Sequence, residues 1–441
     1  MIPLSNKPLL VLYAPLNVYA GYGSRGRDLA TSLIALKEPE YDVRFIACNW
    51  GACPHGALDE SNLKHKAILD RILPGGQFPK QPDVWIMCTV PNEMQKVGSK
   101  YNIIVTAGVE THVATPEFIQ GCNNADLVLT SSRFGRDVLL RSQYDQHDNN
   151  TKQVIGKLAL TSKIDVLFEG LDTNVYHKLD SSDFDLDNIQ EDFAFLSLGH
   201  WIDGDLFHDR KNIAILVKIF LETFKNRKVA PALILKTSSG TASIIDREKI
   251  LDKIELIRKE VKATSLPSIY LVHGDLSDDQ INSLYAHPKV KAFTLFGNEG
   301  FGRPYLEFSV HQKPILSSNY SGHIDFLNPD FTVQIGGTIQ QVHPSVLQKN
   351  IIPANGAWFY VNPGEASNAM KDVYENYKNY LEGAKRQAYR SRTEFSLDKM
   401  TERLKEILDA NLPKVSQPIS IKLPILKPLH NPKLVEDVEV L

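Results

Sequence analysis

Short apolar runs alternate along the chain with longer segments in which apolar residues recur at helical spacing. Most of the short runs are uninterrupted, as expected of strands that helices cover on both faces. Two such series follow one another, and they predict two doubly wound α/β domains, each built on a parallel sheet. The strands predicted for the first domain are Leu9–Ala14, Val43–Cys48, Val84–Cys88, Ile103–Ala107, Leu127–Thr130 and Ile164–Phe168. Those predicted for the second domain are Phe193–Gly199, Ala232–Lys236, Ile269–His273, Lys291–Phe296 and Pro314–Ser317.

A polar, acidic connector between residues 169 and 192 separates the two series of strands. We therefore expect a first domain over residues 1–172 and a second domain over residues 173–395. An amphipathic pattern predicts a helix within residues 396–412. The tail, residues 413–441, carries five prolines and is expected to be extended.

Helices are predicted between the strands, and two polar segments interrupt the alternation. The helix predicted at Arg27–Leu36 begins just after a glycine, and "SSRFGRDVLLRS" opens with Ser131 and Ser132, which can cap a helix. Residues 142–153 are polar and predict a surface insertion. Residues 328–357 predict a loop that is longer than most connections within a domain.

Composition and charge exclude several classes of protein. Of the 441 residues, 23% are charged and the net charge is −3, so no overall field favours nucleic acid or an anionic membrane. No apolar run reaches the length of a membrane span, and no signal peptide is recognisable at the N-terminus. Cys48, Cys53, Cys88 and Cys122 have no C-x-x-C spacing and are expected to be reduced thiols, which favours a cytoplasmic location.

The stretch "GYGSRG", residues 21–26, spells the G-x-G-x-x-G of dinucleotide-binding loops. In nicotinamide and flavin proteins the first glycine directly follows a strand, whereas six residues separate Ala14 from Gly21 here. The second predicted strand also ends in Cys48 and not in the acidic residue that binds a ribose. The sequence therefore disfavours a nicotinamide oxidoreductase. It leaves open a loop that contacts a phosphate beside a helix beginning near Arg25, or a plain glycine-rich turn.

The most informative segment joins the predicted strand "KAFTLF" to the loop "GNEGFGRP" and the helix "YLEFSVHQ". Glu299 lies in the loop at the carboxyl end of this strand, and Glu307 lies one turn into the helix that Pro304 begins. Both carboxylates can face one crevice at the edge of the sheet. Ionised carboxylates accept several hydrogen bonds from sugar hydroxyls, and the free amides between them suit a diphosphate.

This segment resembles the E-x7-E signature of retaining glycosyltransferases of family 4 type, which have the GT-B fold. Weaker similarities occur in the family's order at "VLFEGLDTNVYHKL", "FLSLGHWIDGDLFHDRKNI" and "EFSLDKMTERLKEIL". The resemblance implies two Rossmann-like domains facing a cleft, the first on the acceptor side and the second binding a nucleotide sugar. It also implies that the helix within residues 396–412 returns to the first domain. The residues that match the signature are Glu299, Gly300, Phe301, Gly302, Pro304 and Glu307.

The resemblance also implies roles for the residues of the second domain. Glu307 would bind the ribose of the donor, and Glu299 would lie beside the transferred sugar. The backbone from Gly300 through Phe301 to Gly302 would hold sugar hydroxyls or phosphate. Lys211 would bind the diphosphate as a catalytic cation. The family usually places an arginine where this sequence has His200, and Arg210 is a candidate to compensate for it.

In the first domain, the resemblance places Gly21 and Gly23 near the diphosphate, and Glu110 and His112 where relatives carry a catalytic acid or histidine. It implies a hexosyl- or pentosyltransferase that needs no metal or other cofactor and takes a UDP- or GDP-type sugar donor. The acceptor could be a saccharide, a lipid-linked sugar, a protein or a modified nucleobase. A catalytically impaired scaffold that binds nucleotide sugars is the alternative, and the oligomeric state is left open.

Overall fold

A computed structural model describes residues 6–51, 53–148, 150–202 and 204–413 of the chain. The tail predicted to be extended, residues 413–441, lies outside these residues apart from Pro413. The described chain forms two parallel six-stranded sheets, each covered by helices on both faces. The predicted fold class, two doubly wound α/β domains, is therefore confirmed.

The first sheet is built by the N-terminal part of the chain. Its strands are β1 (Leu9–Ala14), β2 (Asp42–Ala47), β3 (Val84–Cys88), β4 (Tyr101–Thr106), β5 (Leu127–Thr130) and, after the hairpin β6 (Tyr144–His147) and β7 (Val154–Leu158), β8 (Lys163–Val166). They lie in the order β2-β1-β3-β4-β5-β8, and all neighbours are parallel. The helices are α1 (Gly21–Lys37), α2 (Leu63–Leu69), α3 (Pro116–Asn123) and α4 (Arg133–Arg141).

The second sheet repeats this design. Its strands are β9 (Ala194–Leu198), β10 (Ala232–Lys236), β11 (Ile269–Val272), β12 (Val290–Leu295), β13 (Ile315–Ser318) and β14 (Val333–Ile335). They lie in the order β11-β10-β9-β12-β13-β14, and all neighbours are parallel. The helices in this part of the chain are α5 (Ile213–Phe224), α6 (Ile244–Glu260), α7 (Asp278–Ala286) and α8 (Arg303–Ser309). A hairpin of β15 (Gly337–Gln341) and β16 (Ala357–Val361) follows, then α9 (Pro363–Glu375), α10 (Leu381–Glu394) and α11 (Leu397–Asn411).

Two segments that the sequence predicted to be irregular contain antiparallel hairpins. Strand β6 lies within the predicted surface insertion at 142–153, and it pairs with β7, which directly follows that segment. The predicted long loop at 328–357 contains β14 and β15, and β15 pairs with β16, which begins at the last residue of that segment. The pairing of β15 depends on backbone hydrogen bonds, and all of its residues are exposed, so no apolar alternation marks it in the sequence.

The apolar runs supply a core on each face of each sheet. In β1, Leu10 and Leu12 face one core and Leu9 and Val11 face the other, because successive side chains of a strand point to opposite faces. Helix α11 packs into the core of the first domain through Met400, Leu404, Ile407 and Leu408, although it follows the whole of the second domain.

Candidate functional site

A cavity of about 470 Å³ lies between the two domains. Its walls come from segments that follow the carboxyl ends of strands in both sheets, which is where open α/β sheets bind ligands. In the first domain these segments follow β1, β2, β4 and β8, and in the second domain they follow β9, β10, β11 and β12. The cavity therefore lies between the edges of the sheets where doubly wound domains carry their binding loops.

Most of the residues singled out from the sequence line this cavity. Two of them, Gly23 and His112, are not among its lining residues. The residues brought together around the cavity are Gly21, Glu110, Arg210, Lys211, Glu299, Gly300, Phe301, Gly302 and Glu307.

Glu299 and Lys211 form a buried ion pair at the floor of the cavity. Lys211 is positioned by the start of α5, where Asp209 accepts hydrogen bonds from the backbone N–H groups of Ile213 and Ala214. Burial would raise the pKa of Glu299, but the adjacent Lys211 and Arg210 outweigh it and lower that pKa below its ordinary value. Glu299 is therefore ionised at neutral pH, and it holds the lysine ammonium at the cavity wall.

Arg210 links the two domains beside this pair. Its guanidinium donates to Glu110 Oε1 at 2.8 Å and to the backbone carbonyl of Asn298 at 3.2 Å. Burial opposes its charge, but Glu110 and Glu299 raise the pKa of Arg210 above the ordinary value. Glu110, from the first domain, thus contacts the loop before α5 of the second domain through Arg210.

Glu307 lies at the other end of the cavity within a network of charged side chains. Arg303, one turn earlier in α8, pairs with Glu307 at 3.3 Å, with Asp28 of α1 at 2.6 Å and with Glu169 at 3.5 Å. Tyr285 donates its hydroxyl to Glu307 at 3.4 Å. Burial raises the pKa of Glu307 to about 7, although Arg303 opposes this shift.

The backbone between the two glutamates is shaped by its glycines. Gly302 has a φ of 98°, which an L residue rarely adopts, and a Cβ at Gly300 would collide with the carbonyl oxygen of Ala107 in the first domain. The N–H groups of Gly300, Phe301 and Gly302 donate to no acceptor in the part of the chain that the structure describes. The turn therefore brings three free amides to the wall of the cavity.

The segment "GYGSRG" is helical and not a loop. Helix α1 begins at Gly21, six residues before the start predicted at Arg27, so the expectations of a loop at 21–26 and of a helix beginning near Arg25 were wrong. The missing Cβ of Gly23 leaves room for the carbonyl oxygen of Val18, and this glycine is buried away from the cavity. Gly21 does line the cavity, together with Tyr22 of the same helical turn.

His112 lies at the contact between the domains. Its ring Nδ1 accepts a hydrogen bond from the backbone N–H of Ala357 at 2.9 Å, and the backbone N–H of His112 donates to the Ala357 carbonyl at 2.8 Å. Both bonds join the first domain to strand β16. His112 is thus engaged by backbone groups of the second domain outside the cavity.

His200, at the position where the resemblance implies an arginine, follows β9 and lines the cavity. Its Nδ1 lies 3.2 Å from the hydroxyl of Ser238. Partial desolvation by the cavity wall, together with the nearby Lys211 and Arg210, lowers the pKa of His200 to about 4, although the residue is exposed to solvent. His200 is therefore neutral at physiological pH and does not replace the charge of an arginine.

Several residues that form the site were not singled out from the sequence. Arg303 occupies a variable position of the E-x7-E segment, and Lys236 appeared only as the last residue of a predicted strand. Tyr22 and Trp50 line the cavity with ring centroids 4.4 Å apart. A charged residue at the carboxyl end of a parallel strand is a signal that could have identified Lys236.

Comparisons with known proteins give relatives in structure only. No protein-family model matches the chain, and no curated protein sequence matches it. The Anabaena protein HepE, solved in complex with UDP-glucose, is similar over 91% of this chain and 100% of its own, with 12% identity and a TM-score of 0.58. Sucrose-phosphate synthase from Thermosynechococcus elongatus is similar over 92% of this chain and 99% of its own, with 12% identity and a TM-score of 0.59.

A glycosyltransferase from Rickettsia africae is similar to the same extent, with 12% identity, coverage of 92% of this chain and 99% of its own, and a TM-score of 0.57. Within the described residues, no helix is both long enough and apolar enough to cross a membrane. The four cysteines are free thiols. Since the likeness extends over nine tenths of the chain and includes both sheets, the chain has the two-domain GT-B fold of these glycosyltransferases.

Proposed function

We propose that this protein is a retaining glycosyltransferase that moves a sugar from a UDP-type nucleotide donor to an acceptor hydroxyl without a bound metal. The observation that carries the proposal is the convergence of Glu299, Lys211 and Glu307 on one cavity between the two domains. Two carboxylates and an ammonium match the hydroxyls and the diphosphate of a nucleotide sugar. The UDP type is favoured because HepE, of similar fold, was solved with UDP-glucose.

Each of these residues has a distinct role in the proposal. Glu307 accepts hydrogen bonds from the ribose hydroxyls, and Glu299 accepts hydrogen bonds from the transferred sugar. Lys211 moves from Glu299 to the diphosphate when the donor binds. The free amides from Gly300 to Gly302 stabilise the same negative charge, because preorganised donors act strongly where water is excluded.

In the proposed reaction the bond between the anomeric carbon and the diphosphate oxygen breaks while the acceptor oxygen bonds to that carbon from the same face. The proton of the acceptor hydroxyl passes to the departing phosphate oxygen. Positive charge therefore develops on the sugar and negative charge on the leaving group, beside Lys211 and the amides. Glu110 contributes by holding Arg210 next to this position. His112 supports the site from outside through its bonds to Ala357.

A catalytically impaired scaffold is the second candidate, and the neutral His200 is the observation that favours it. A missing cation would weaken stabilisation of the leaving diphosphate more than it would weaken binding of the nucleoside. Such a protein would bind donors without turning them over.

The test is a titration of the purified chain with UDP-, GDP- and ADP-sugars, followed by assays of donor hydrolysis and transfer. We expect a UDP-sugar to bind and Glu307→Ala to raise its Kd about tenfold or more, because the ribose hydroxyls lose a charged acceptor. Glu382→Ala is the matched control, since Glu382 is exposed on α10 and does not line the cavity.

The configuration of the product, read by nuclear magnetic resonance at the anomeric carbon, tests retention. A product of inverted configuration would contradict the proposed mechanism. Binding without hydrolysis or transfer across a broad acceptor panel would favour the scaffold, and binding of no nucleotide sugar would reject both candidates.

A further inference from the structure

The cations that line the cavity differ in whether the protein already neutralises them. Among the described residues, Lys236 is the one Lys or Arg side chain of the lining with no hydrogen bond or ion pair to the protein. The guanidinium groups of two others donate to backbone carbonyls, and three form ion pairs. The partnered residues are Arg25, Arg27, Arg210, Lys211 and Arg303.

Lys236 lies beside His200 because their strands are neighbours. Strand β9 ends at Leu198, which is paired in register with Lys236 at the end of β10. The N–H of Gly199 donates to the Lys236 carbonyl at 3.1 Å, and His200 is the next residue. Lys236, at the end of β10, and His200, just after β9, therefore line the same part of the cavity wall.

The surroundings of Lys236 compensate its charge only in part. The side chain is half-buried, and burial lowers the pKa of Lys236 below its ordinary value. The carboxylate of Asp275 raises it again, but this acid forms no ion pair with Lys236. A partly desolvated ammonium without a direct ion pair is costly in free energy, and an anion in the cavity would lower that cost.

We propose that Lys236 binds a phosphate group of the donor and supplies the positive charge that is absent at His200. This assignment rests on the proposed function and deepens it, because it identifies a second cation for the diphosphate. Lys211 reaches the cavity from the loop before α5, whereas Lys236 reaches it from the end of β10. The two ammonium groups would then approach the diphosphate from different elements of the same domain.

The experiment compares UDP with uridine as probes, by calorimetric titration of the full chain. Lys236→Met should raise the Kd of UDP at least about tenfold, the size expected for loss of a charge-assisted contact, and change that of uridine less than twofold. Lys236→Arg should retain most of the affinity for UDP. Lys371→Met on α9 is the matched control, since Lys371 is exposed and does not line the cavity.

A rescue variant distinguishes lost charge from a damaged fold. The double variant His200→Arg with Lys236→Met restores a cation at the neighbouring position, and we expect its Kd for UDP to return to within about threefold of the unaltered protein. An unchanged Kd for UDP in Lys236→Met, or an equal loss for UDP and uridine, would overturn the assignment while the proposed function stands. If the unaltered protein binds no UDP, the proposed function and this assignment both fall.

Discussion

The two glutamates of the E-x7-E segment are buried to a similar extent but ionise differently. Lys211 and Arg210 lower the pKa of Glu299, while burial raises the pKa of Glu307 to about 7. The difference follows from their neighbours, since Glu299 contacts an ammonium directly and Arg303 is shared among several carboxylates. Two carboxylates whose environments push their pKa values apart are typical of sites that assign them different tasks.

Under the proposed function Glu307 binds the donor, and its raised pKa then predicts that donor affinity depends on pH. The ionised carboxylate accepts hydrogen bonds from ribose hydroxyls better than the protonated acid does. Since Glu307 has a pKa of about 7, its ionised fraction rises from about a tenth at pH 6 to about nine tenths at pH 8. We expect the Kd of UDP-glucose, measured by calorimetry, to fall about tenfold over this interval.

The control for this pH dependence is Glu307→Gln, which has no titrating group at this position. Its Kd for UDP-glucose should be higher than that of the unaltered protein at pH 8 and nearly independent of pH.

The same titration should lower folding stability as the pH rises, because the folded state binds the proton of Glu307 more tightly than the unfolded chain does. The free energy of unfolding therefore loses a contribution as the pH rises from about 4.5 to about 7. Equal pH profiles in both proteins would assign the titration to another group.

At the scale of elements, helix α11 is the clearest case of a local pattern with a distant partner. Its apolar stripe marks a helix in the sequence, but the surface that it covers belongs to the first domain. Ser32 of α1 hydrogen-bonds Thr401 at 2.7 Å, and Lys37 of α1 pairs with Asp409 at 2.9 Å. The helix therefore completes the core beneath α1, the helix whose first turn lines the cavity.

The packing of α11 predicts a large effect for a single truncation. Leu404 is 2% exposed in the core of the first domain, so Leu404→Ala should lower the free energy of unfolding by about 2–4 kcal/mol. Urea unfolding followed by circular dichroism measures this change. Leu256→Ala is the matched control, since Leu256 is 53% exposed on α6, and its effect should stay within about 0.5 kcal/mol. Equal midpoints for both variants would contradict the packing.

The hairpin of β15 and β16 shows why other elements escaped prediction. Phe359 of β16 exchanges hydrogen bonds with the side-chain amide of Asn298, which directly precedes Glu299 in the chain. The hairpin thus supports the loop of the E-x7-E segment from behind. Strand β15 is exposed throughout and leaves no apolar pattern in the sequence, whereas β16 is a short buried apolar run that a strand pattern could have identified.

At the scale of the whole molecule, polar contacts across the cavity join the two domains. Arg303 of α8 contacts Asp28 of α1, and Arg210 contacts Glu110. His112 bonds to Ala357 outside the cavity. Because these contacts surround the site where the donor would bind, the relative position of the domains and the charges of the site depend on the same side chains.

The network around Arg303 predicts a strong loss of stability when the arginine is removed. Arg303→Met leaves three buried carboxylates without their shared cation, and we expect a loss of about 3–5 kcal/mol in the free energy of unfolding at pH 8. The loss should shrink at pH 5, where part of the carboxylate charge is neutralised. Arg247→Met, at an arginine that is half-exposed on α6, serves as the control in the same urea titration. A loss that is the same at both pH values would argue against an electrostatic cause.

The two series of parallel strands and the E-x7-E segment follow from the amino-acid sequence alone, because apolar periodicity and local spacing act over a few residues. Which side chains meet depends on the packing of distant elements: Arg303 and Asp28 are 275 positions apart, and Lys236 lies beside His200 because β9 and β10 are adjacent in the sheet. Tertiary packing also determines that "GYGSRG" forms the first turns of α1, where its glycines serve close packing as much as the cavity. Local preference specifies an element, whereas the partner of a buried charge depends on how distant elements pack.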